Sequence, residues 1–476
     1  MRNEPQLIAY ADRLAGDLAG LRDVLTGELA GAFGGVHVLP FFVPIDGSDA
    51  GFDPVDHTCV DPRLGTWADV AELGGVVDVI ADLIVNHMSI DSAQFTDWRL
   101  RGDESAYASM FLSPLDVFDG RMPSDSEQTV IYRPRPTPPF HDVEFADGSA
   151  RTVWSTFTHE QIDIDVDSQA GWNYLAGILD RFGDSNVELV RLDAIGYAIK
   201  RAGTSCFMIP ETYEFIDRLA AAARARGMDV LVEVHGYHRD QIDVASRVDR
   251  VYDFALPPLA IDALTTGDAG PLRTWIGMRP NNAINVLDTH DGIGVIDVGV
   301  DQRDRSRPGL LPPERIHDLV EGIHERSNGE SRLATGSAAS NLDLYQVNCT
   351  FYDALGCDDA RYLAARMIQL MLPGVPQIYY VGLLAGSNDM ELLAASGVGR
   401  DVNRHRYTTA EVDAALARPV VRELLEMLRW RASDTAFDGD FELIESPAGT
   451  LRMRWTNGAA VTDRTIDLRT AEIIAH

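Results

Sequence analysis

Apolar, β-branched runs recur along the chain, separated by stretches in which apolar residues return every three or four positions. Such runs predict strands buried on both faces, as in a parallel sheet, and the stretches between them predict amphipathic helices. There are eight runs: QLIAYA, VHVLPFF, DVIADLIV, VELVRLDA, VLVEVH, VYDFALP, INVLDTH and VPQIYYV. This alternation predicts an α/β fold in which eight units close a (β/α)8 TIM barrel.

The clearest helical patterns are LRDVLTGELAG, WNYLAGILDRFG, EFIDRLAAAARARG and RYLAARMIQLML. Two intervals are too long for a loop and a helix, and they predict inserted subdomains at 87–168, after the third strand, and at 292–357, after the seventh. The tail, 436–476, predicts a short C-terminal antiparallel β-domain, because its short strand patterns alternate with Pro-Ala-Gly and Asn-Gly turns. The barrel then consists of 1–86, 169–291 and 358–435.

Polar groups stand at the ends of four of the predicted strands. They belong to the segments Asp82–His87, Arg191–Asp193, Val232–His235 and Asp288–Asp291. An ionisable group at the end of a buried strand is costly unless it has a partner or a function. In a barrel, the C-terminal ends of all strands share one rim, which is where active sites lie. The four segments therefore predict one assembled site.

Two carboxylates in these segments differ in their surroundings. Asp193 follows Arg191 by two positions, so both point to the same side of a strand, and the arginine is expected to lower the pKa of Asp193 and keep it ionised as a nucleophile. The alternative is an Arg–Asp pair that only braces the barrel. Glu233 ends an apolar run, where burial raises a carboxyl pKa and suits a general acid. The alternative for Glu233 is a buried glutamate whose hydrogen bonds are satisfied and which has no catalytic role.

A third carboxylate, Asp291, stands next to His290. Two opposed carboxyl groups with a third beside them suit glycosidic-bond chemistry, and a separation of about 5–5.5 Å would give retention through a covalent intermediate. A metal site is the competing interpretation. Its candidates lack the close spacing typical of metal ligands, so we expect no metal and no cofactor. These candidates are Asp53, Asp56, His57, His235, His238 and His290.

The net charge of −32, from 73 acidic and 41 basic residues, argues against nucleic acid or an anionic membrane as a partner. A small anionic substrate would need a local group of arginines.

The four cysteines have no CxxC spacing, which favours reduced thiols in a cytoplasmic protein over a structural disulfide. The N-terminal residues lack a signal-peptide pattern, and no run approaches the roughly 18 apolar residues of a membrane span.

DLIVNH, VRLDAIGY, VEVH and LDTHDG together resemble, in this order, four short regions of the α-amylase-type glycoside hydrolases. The likeness extends through HVLPFFVPIDGSDAGFDPVDHT, IYRPRP, FTHEQIDID, NLDLYQVN and GRDVNRH, covers most of 1–435, and is greatest to the sucrose phosphorylase subfamily. The resemblance implies a glycosyltransferase that converts sucrose and phosphate to α-glucose 1-phosphate and fructose. It also implies retention through a covalent glucosyl-Asp intermediate, and transfer to other acceptors.

Carried onto this sequence, the resemblance implies that Asp193 is the nucleophile, Glu233 the acid/base and Asp291 the transition-state stabiliser. Further residues match those that hold the glucosyl ring: Asp49, Phe52, His87, Phe157, Gln161, Arg191, His290 and Arg400.

The acceptor side is assigned in the same way. His235 and Tyr197 are expected to line the acceptor subsite. In the segment 342–346, Asp343 and Gln346 are expected to face fructose, and Leu344 and Tyr345 to belong to a phosphate-binding arrangement. Guanidinium suits phosphate oxygens, and the resemblance favours Arg135 for this contact, with Arg133 as the alternative.

Other activities stay open as alternatives. The first is a related phosphorylase for sucrose 6′-phosphate, glucosylglycerol or glucosylglycerate, and the second is a retaining α-glucosidase or transglucosylase. LDLYQ has no basic residue for a phosphorylated fructose, YRPRP argues against a hydrolase, and the three carboxylates argue against a non-catalytic barrel. The short tail, and Gly236 and His238 beside the acceptor side, depart from the subfamily pattern. A homodimer remains open.

Overall fold

A computed structural model describes residues 1–47, 49–134, 137–336 and 346–476. Eight parallel strands close a barrel in which each strand pairs with its neighbours in chain order and the last pairs with the first. Gln6 of the first strand lies opposite Gln377 of the last and Gly35 of the second. The strands are β1 Gln6–Ala9, β2 Gly35–Val38, β3 Asp78–Ile84, β4 Val187–Asp193, β5 Asp229–Val232, β6 Arg250–Asp253, β7 Ala283–Asn285 and β8 Val375–Tyr379. Each overlaps one predicted run, and four of them begin one residue before it, so the predicted fold class is confirmed.

Helices surround the barrel and fill the long intervals. The first predicted helix ends at Thr26, before Gly27, and the other three clear patterns are helical as expected. The α-helices are Ala11–Leu14, Leu18–Thr26, Trp67–Gly74, Ala93–Arg101, Pro114–Val117, Asp125–Val130, Gln169–Gly183, Pro210–Arg224, His238–Ala245, Leu256–Thr266, Gly270–Ile276, Pro313–Arg326, Glu330–Gly336, Phe351–Ala354, Asp359–Met371, Tyr380–Leu383, Met390–Ser396, Thr409–Leu416 and Pro419–Ser433. Short 3-10 helices span Gly102–Glu104, Ile195–Tyr197, Ile296–Val298, Gly399–Asn403 and Thr435–Asp438.

The helix Asp359–Met371 shows how the barrel buries its outer layer. Asp358 caps its start by accepting a hydrogen bond from Arg361 N. Its apolar positions, spaced at three and four residues, are buried, and the helix packs against Pro419–Ser433. The residues on that face are Leu363, Met367, Leu370 and Met371.

Smaller sheets lie outside the barrel. In the interval after β3, Phe140–Glu144 and Ala150–Trp154 form a hairpin, and Gln161–Asp163 pairs with His87–Ser89 at the barrel rim. After β7, Ile293–Gly294 pairs with Gln346–Val347, and Phe42–Val43 pairs with Asp56–Val60 after β2. The C-terminal sheet is antiparallel, as predicted, with strands Asp440–Ile444, Thr450–Asn457, Ala460–Asp467 and Ile473–Ala475. The predicted segment boundaries remain predictions.

Lys200, the single lysine of the sequence, ties the insert after β3 to the barrel. Its buried ammonium group lies 2.9 Å from Asp163 Oδ2 and 3.0 Å from Asn86 Oδ1, and it also donates to Tyr197 O. Asp163 accepts further hydrogen bonds from Thr156 and from Asn86 Nδ2. One cation thus holds oxygens from the β3 end, the insert and the segment after β4 at the floor of the rim.

None of the helices in the described ranges combines the length and apolar character that crossing a bilayer requires. The four cysteines are unpaired thiols, as the sequence predicts.

Candidate active site

The four polar segments converge at the C-terminal rim of the barrel. Asp193 is the last residue of β4, Glu233 directly follows β5, and Asp291 lies in the loop beyond β7. All three line one cavity, which holds about 720 Å³ of empty space including its mouth, a size typical of small-molecule sites. The other lining residues are Asp49, Phe52, His87, Pro134, Phe157, Ala194, Gly196, Tyr197, Phe207, Val234, His235, His290, Gln346 and Arg400.

Arg191 lies beneath the cavity and contacts three carboxylates. Its Nη1 lies 2.8 Å from Asp193 Oδ1, its Nη2 lies 2.8 Å from Glu233 Oε1, and Nη1 also donates to Asp82. Asp82 in turn contacts His37 Nε2 at 2.9 Å. The predicted contact between Arg191 and Asp193 is therefore present, but the guanidinium divides its charge among three partners.

The prediction that Arg191 keeps the pKa of Asp193 low is wrong. Burial raises the pKa of Asp193 well above its usual range, and the nearby Glu233 raises it further, while Arg191 lowers it by less. Burial and Glu233 raise the pKa of Asp291 as well. The cavity floor therefore holds more carboxylates than its cations neutralise, and it favours binding a proton.

The carboxyl groups of Asp193 and Glu233 contact the same guanidinium, that of Arg191, at 2.8 Å each, and Glu233 Oε2 also accepts from Ala194 N at 3.3 Å. An inverting enzyme needs about 6.5–9.5 Å between its two carboxyls to admit a water molecule, whereas a retaining one keeps them close. The shared contact supports retention.

Arg400 contacts the third carboxylate, Asp291, and Arg404 lies beside it. Arg400 donates to Asp291 and lies 3.8 Å from Asp49, and Arg404 lies 3.8 Å from the other oxygen of Asp49. Arg404 also donates to His290 O at 3.0 Å. This brings together the predicted pair Asp49 and Arg400 at one end of the cavity.

Aromatic rings form one wall. Phe52 stacks on His290, with ring centroids 4.6 Å apart, and its carbonyl oxygen lies 2.9 Å from His87 Nε2. Phe157 packs between His87 and Tyr197, at 5.1 and 5.3 Å. The Nδ1 atoms of His87 and His290 are buried and have no hydrogen-bond partner among the described residues. An apolar face edged by such polar atoms suits a hexose ring with its hydroxyl groups.

Two of the predicted sugar-binding residues, Arg191 and Gln161, do not line the cavity. Gln161 lies farther along the rim. It lies opposite Ser89 in the short sheet behind His87, and it is buried. The strand that carries it supports the rim from behind.

Four predicted residues lie outside the described residues: Arg135, Asp343, Leu344 and Tyr345. Their chain neighbours Pro134 and Gln346 line the cavity, and Gln346 Oε1 accepts from Gly292 N at 3.3 Å. Arg133, the alternative phosphate contact, is half-buried and does not line the cavity.

Of the metal-site candidates, His235 alone joins a possible ligand cluster in the described part of the chain, with Glu233 and Asp291. The three ligand atoms lie within 4.8 Å of one another. Of the other histidines in that set, His57 contacts Asp82 O and His238 packs on Tyr237. His290 lies 3.7 Å from Asp291 but is not part of the cluster.

Three residues at or near the cavity were not predicted from the sequence. Asp297 contacts His235, Arg404 supports the Asp49 end, and Phe207 lines the cavity. Arg404 lies in GRDVNRH, which carries the family resemblance, but none of the three stands at a predicted strand end. These residues reach the site through contacts between segments that are far apart in the chain, which the sequence pattern does not reveal.

No family model matches the chain. A sucrose phosphorylase of Agrobacterium vitis is 58% identical over 456 residues, covering 96% of this chain and 93% of the relative. A sucrose phosphorylase of Bifidobacterium adolescentis is 54% identical, covering 96% and 90%. Other phosphorylases are less similar: a glucosylglycerol phosphorylase of Marinobacter adhaerens is 40% identical, covering 98% and 95%. The crystal structure of a sucrose 6F-phosphate phosphorylase from Thermoanaerobacter thermosaccharolyticum matches with a TM-score of 0.93 at 36% identity, covering 100% and 95%.

Proposed function

Since the chain belongs to the sucrose phosphorylase family of α-amylase-type glycoside hydrolases, we propose that it converts sucrose and phosphate reversibly to α-D-glucose 1-phosphate and D-fructose. The observation that carries the proposal is the convergence of Asp193, Glu233 and Asp291 on one cavity. The identities of 58% and 54% to two sucrose phosphorylases, against 40% to the glucosylglycerol phosphorylase and 38% to a sucrose 6(F)-phosphate phosphorylase, support sucrose as the donor.

In the first step, a carboxylate oxygen of Asp193 attacks C1 of the glucosyl unit, and the bond from C1 to the fructose oxygen breaks. Glu233 donates its proton to that oxygen, so fructose leaves as the neutral sugar and Glu233 becomes a carboxylate. This step requires a proton on Glu233 and a carboxylate at Asp193, and the guanidinium of Arg191 contacts both groups at 2.8 Å.

In the second step, a phosphate oxygen attacks C1 and the ester to Asp193 breaks, which restores the carboxylate. The proton of the attacking phosphate oxygen passes to Glu233. Two inversions at C1 give net retention, and α-glucose 1-phosphate leaves. Asp291, paired with Arg400, binds ring hydroxyls and stabilises the positive charge that develops at C1.

Arg135 is the proposed phosphate contact, with Leu344 and Tyr345, and Asp343 and Gln346 are proposed to contact fructose. The cavity-lining positions of Pro134 and Gln346 support this, because they are adjacent in the chain to these segments. His235 and Tyr197, which both line the cavity, are proposed to face the acceptor.

The test is the phosphate-dependent release of glucose 1-phosphate by the purified enzyme. Sucrose is compared with sucrose 6′-phosphate, glucosylglycerol and glucosylglycerate as donors, with Asp193→Asn as the inactive control. Sucrose is expected to give the highest kcat/KM. Another donor ahead of sucrose would overturn the assignment, and glucose release unchanged by phosphate would indicate a hydrolase.

The enzyme is further proposed to work in the reducing cytoplasm on small molecules, without a nucleic-acid or membrane partner. The unpaired thiols and the net charge of −32 support this setting. Whether two copies associate is decided by the mass of the enzyme in solution.

A further inference from the structure

Asp297 is a buried carboxylate one layer behind the cavity. It lies in the 3-10 helix Ile296–Val298, beyond β7, and its side chain is fully enclosed. It makes three hydrogen bonds, each 3.0 Å long, with His235 Nδ1, Gly236 N and Gln241 Nε2. All three partners belong to the segment after β5. Asp297 therefore fixes that segment, which carries Glu233 and His235, against the β7 loop.

Gly294 makes this approach possible. A Cβ atom at that position would lie 2.3 Å from Asp297 Oδ2 and 3.4 Å from His235 Nδ1. Any larger residue there would have to displace the carboxylate from the imidazole.

The ring of His235 is held on two sides. It stacks on Phe254, with centroids 3.8 Å apart and planes 17° apart, and its Nδ1 is bound to Asp297. Its Nε2 therefore points away from Asp297, and it lies 3.9 Å from Glu233 Oε1 at the cavity wall. The imidazole is aimed at the acid/base carboxyl on the acceptor side.

The groups that face this ring are mainly acidic: Asp297, Glu233 and Asp291, with His290 as the neighbouring base. Burial lowers the pKa of His235, but Asp297, followed by Glu233 and Asp291, outweighs burial and leaves that pKa raised. A protonated imidazole carries a hydrogen on both nitrogens, and here Nδ1–H donates to Asp297.

We infer that Asp297 is a positioning residue that holds His235 as an imidazolium, directed at the place where an anionic acceptor approaches Glu233. The inference rests on the proposed function, because there phosphate must enter a cavity in which Glu233 has just become negative. A fixed positive charge offsets that repulsion for phosphate. Water, as the competing acceptor, carries no charge and gains far less from it.

Asp297→Asn tests the inference, because it keeps the size of the side chain and an acceptor oxygen for Nδ1–H but removes the charge. The KM for phosphate is expected to rise about tenfold, the scale of a lost charged hydrogen bond, while hydrolysis of sucrose without phosphate stays within about twofold. His235 would then lose its proton at lower pH. The alkaline limb of kcat/KM for phosphate is therefore expected to move down by about one pH unit.

Asp301→Asn is the matched control, since Asp301 is also buried, in the same loop, but pairs with Arg303 and Arg307. This variant is expected to leave unchanged both the ratio of the phosphorolysis rate to the hydrolysis rate and the alkaline limb of kcat/KM for phosphate. When His235 is already replaced by Gln, adding Asp297→Asn should not raise the KM for phosphate any further. If Asp297→Asn does not fold, Gly294→Ala takes its place and should move both readouts in the same direction.

Two outcomes are distinguishable. A wild-type enzyme that releases no glucose 1-phosphate from sucrose would overturn the proposed function and this inference with it. An enzyme that does release it, but in which the variants slow phosphorolysis and hydrolysis equally and leave the alkaline limb in place, would overturn the role of Asp297 alone.

Discussion

Arg191 faces Asp82, Asp193 and Glu233 from a position almost closed to solvent. One guanidinium cannot neutralise three buried carboxylates, so a proton in the cluster lowers the free energy of the folded state. The same arrangement serves the chemistry, which needs one carboxyl protonated and its neighbour ionised. Activity and stability therefore make opposite demands on Asp193.

Asp193→Asn is expected to raise the melting temperature at pH 7 by about 2 °C or more. Since the folded-state pKa of Asp193 is raised, ionising it destabilises the fold above its unfolded pKa of about 3.9. The penalty grows with pH towards the folded pKa and is absent at lower pH. The gain should therefore shrink between pH 7 and pH 4. Calorimetry at several pH values measures it.

Asp217→Asn serves as the control, because Asp217 is half-exposed and pairs with Arg247 at the surface. Little change is expected for it at either pH. A lower melting temperature for Asp193→Asn at pH 7 would contradict the account of the cluster.

Arg135→Ala is expected to raise the KM for phosphate at least about tenfold while leaving hydrolysis within about twofold. Initial rates with and without phosphate measure the two reactions. Arg133→Ala, two positions earlier and outside the cavity lining, is the matched control and should leave both unchanged. Equal losses in both reactions for Arg135→Ala would remove its proposed role, and a selective loss in Arg133→Ala would transfer it.

At the scale of elements, Lys200 joins three separate parts of the rim through Asn86, Asp163 and Tyr197 O. Removing one member of a buried ion pair leaves the other charge without compensation, whereas an exposed pair contributes little. The attachment of the insert after β3 therefore depends on one side chain.

Lys200→Met keeps the apolar stem but leaves Asp163 without its cation, and is expected to lower the free energy of unfolding by about 3 kcal/mol. Denaturant titration measures this, and limited proteolysis should cut first within the insert. The adjacent Arg201→Gln breaks an exposed pair with Asp167 and should cost less than about 1 kcal/mol. Similar losses in the two variants would argue against a special role for Lys200.

The barrel could be predicted from the sequence because a strand that is buried on both faces is apolar along its whole length. That pattern is visible within one short segment. The convergence of Asp193, Glu233 and Asp291 followed from the shared rim. The pKa of Asp193 could not be predicted, since it depends on how Arg191 divides its charge among segments far apart in the chain. Asp297 was missed for the same reason: its partner His235 is 62 residues away.

At the scale of the whole molecule, the net charge of −32 opposes the approach of phosphate but does not act on sucrose. Salt weakens this repulsion, because the screening length falls from about 30 Å at 10 mM to about 8 Å at 150 mM. The salt dependence of phosphate binding therefore reports on the net charge of the protein, whereas sucrose binding reports on the cavity alone.

Between about 10 mM and 150 mM salt, the KM for phosphate is expected to fall about twofold, and the KM for sucrose to stay constant. Initial-rate kinetics at fixed pH measures both, with sucrose as the internal control. A phosphate KM that is independent of salt would show that local arginines, not the overall charge, govern its entry.

The enclosed position of Lys200 also bears on how this enzyme can be handled chemically. Reagents that attach proteins to resins or dyes through ε-amino groups find a single such group in the sequence, and it is buried. The exposed thiols of Cys59 and Cys357 offer the more accessible handles. Maleimide coupling should therefore immobilise the protein under conditions in which succinimidyl esters leave its side chains almost unmodified.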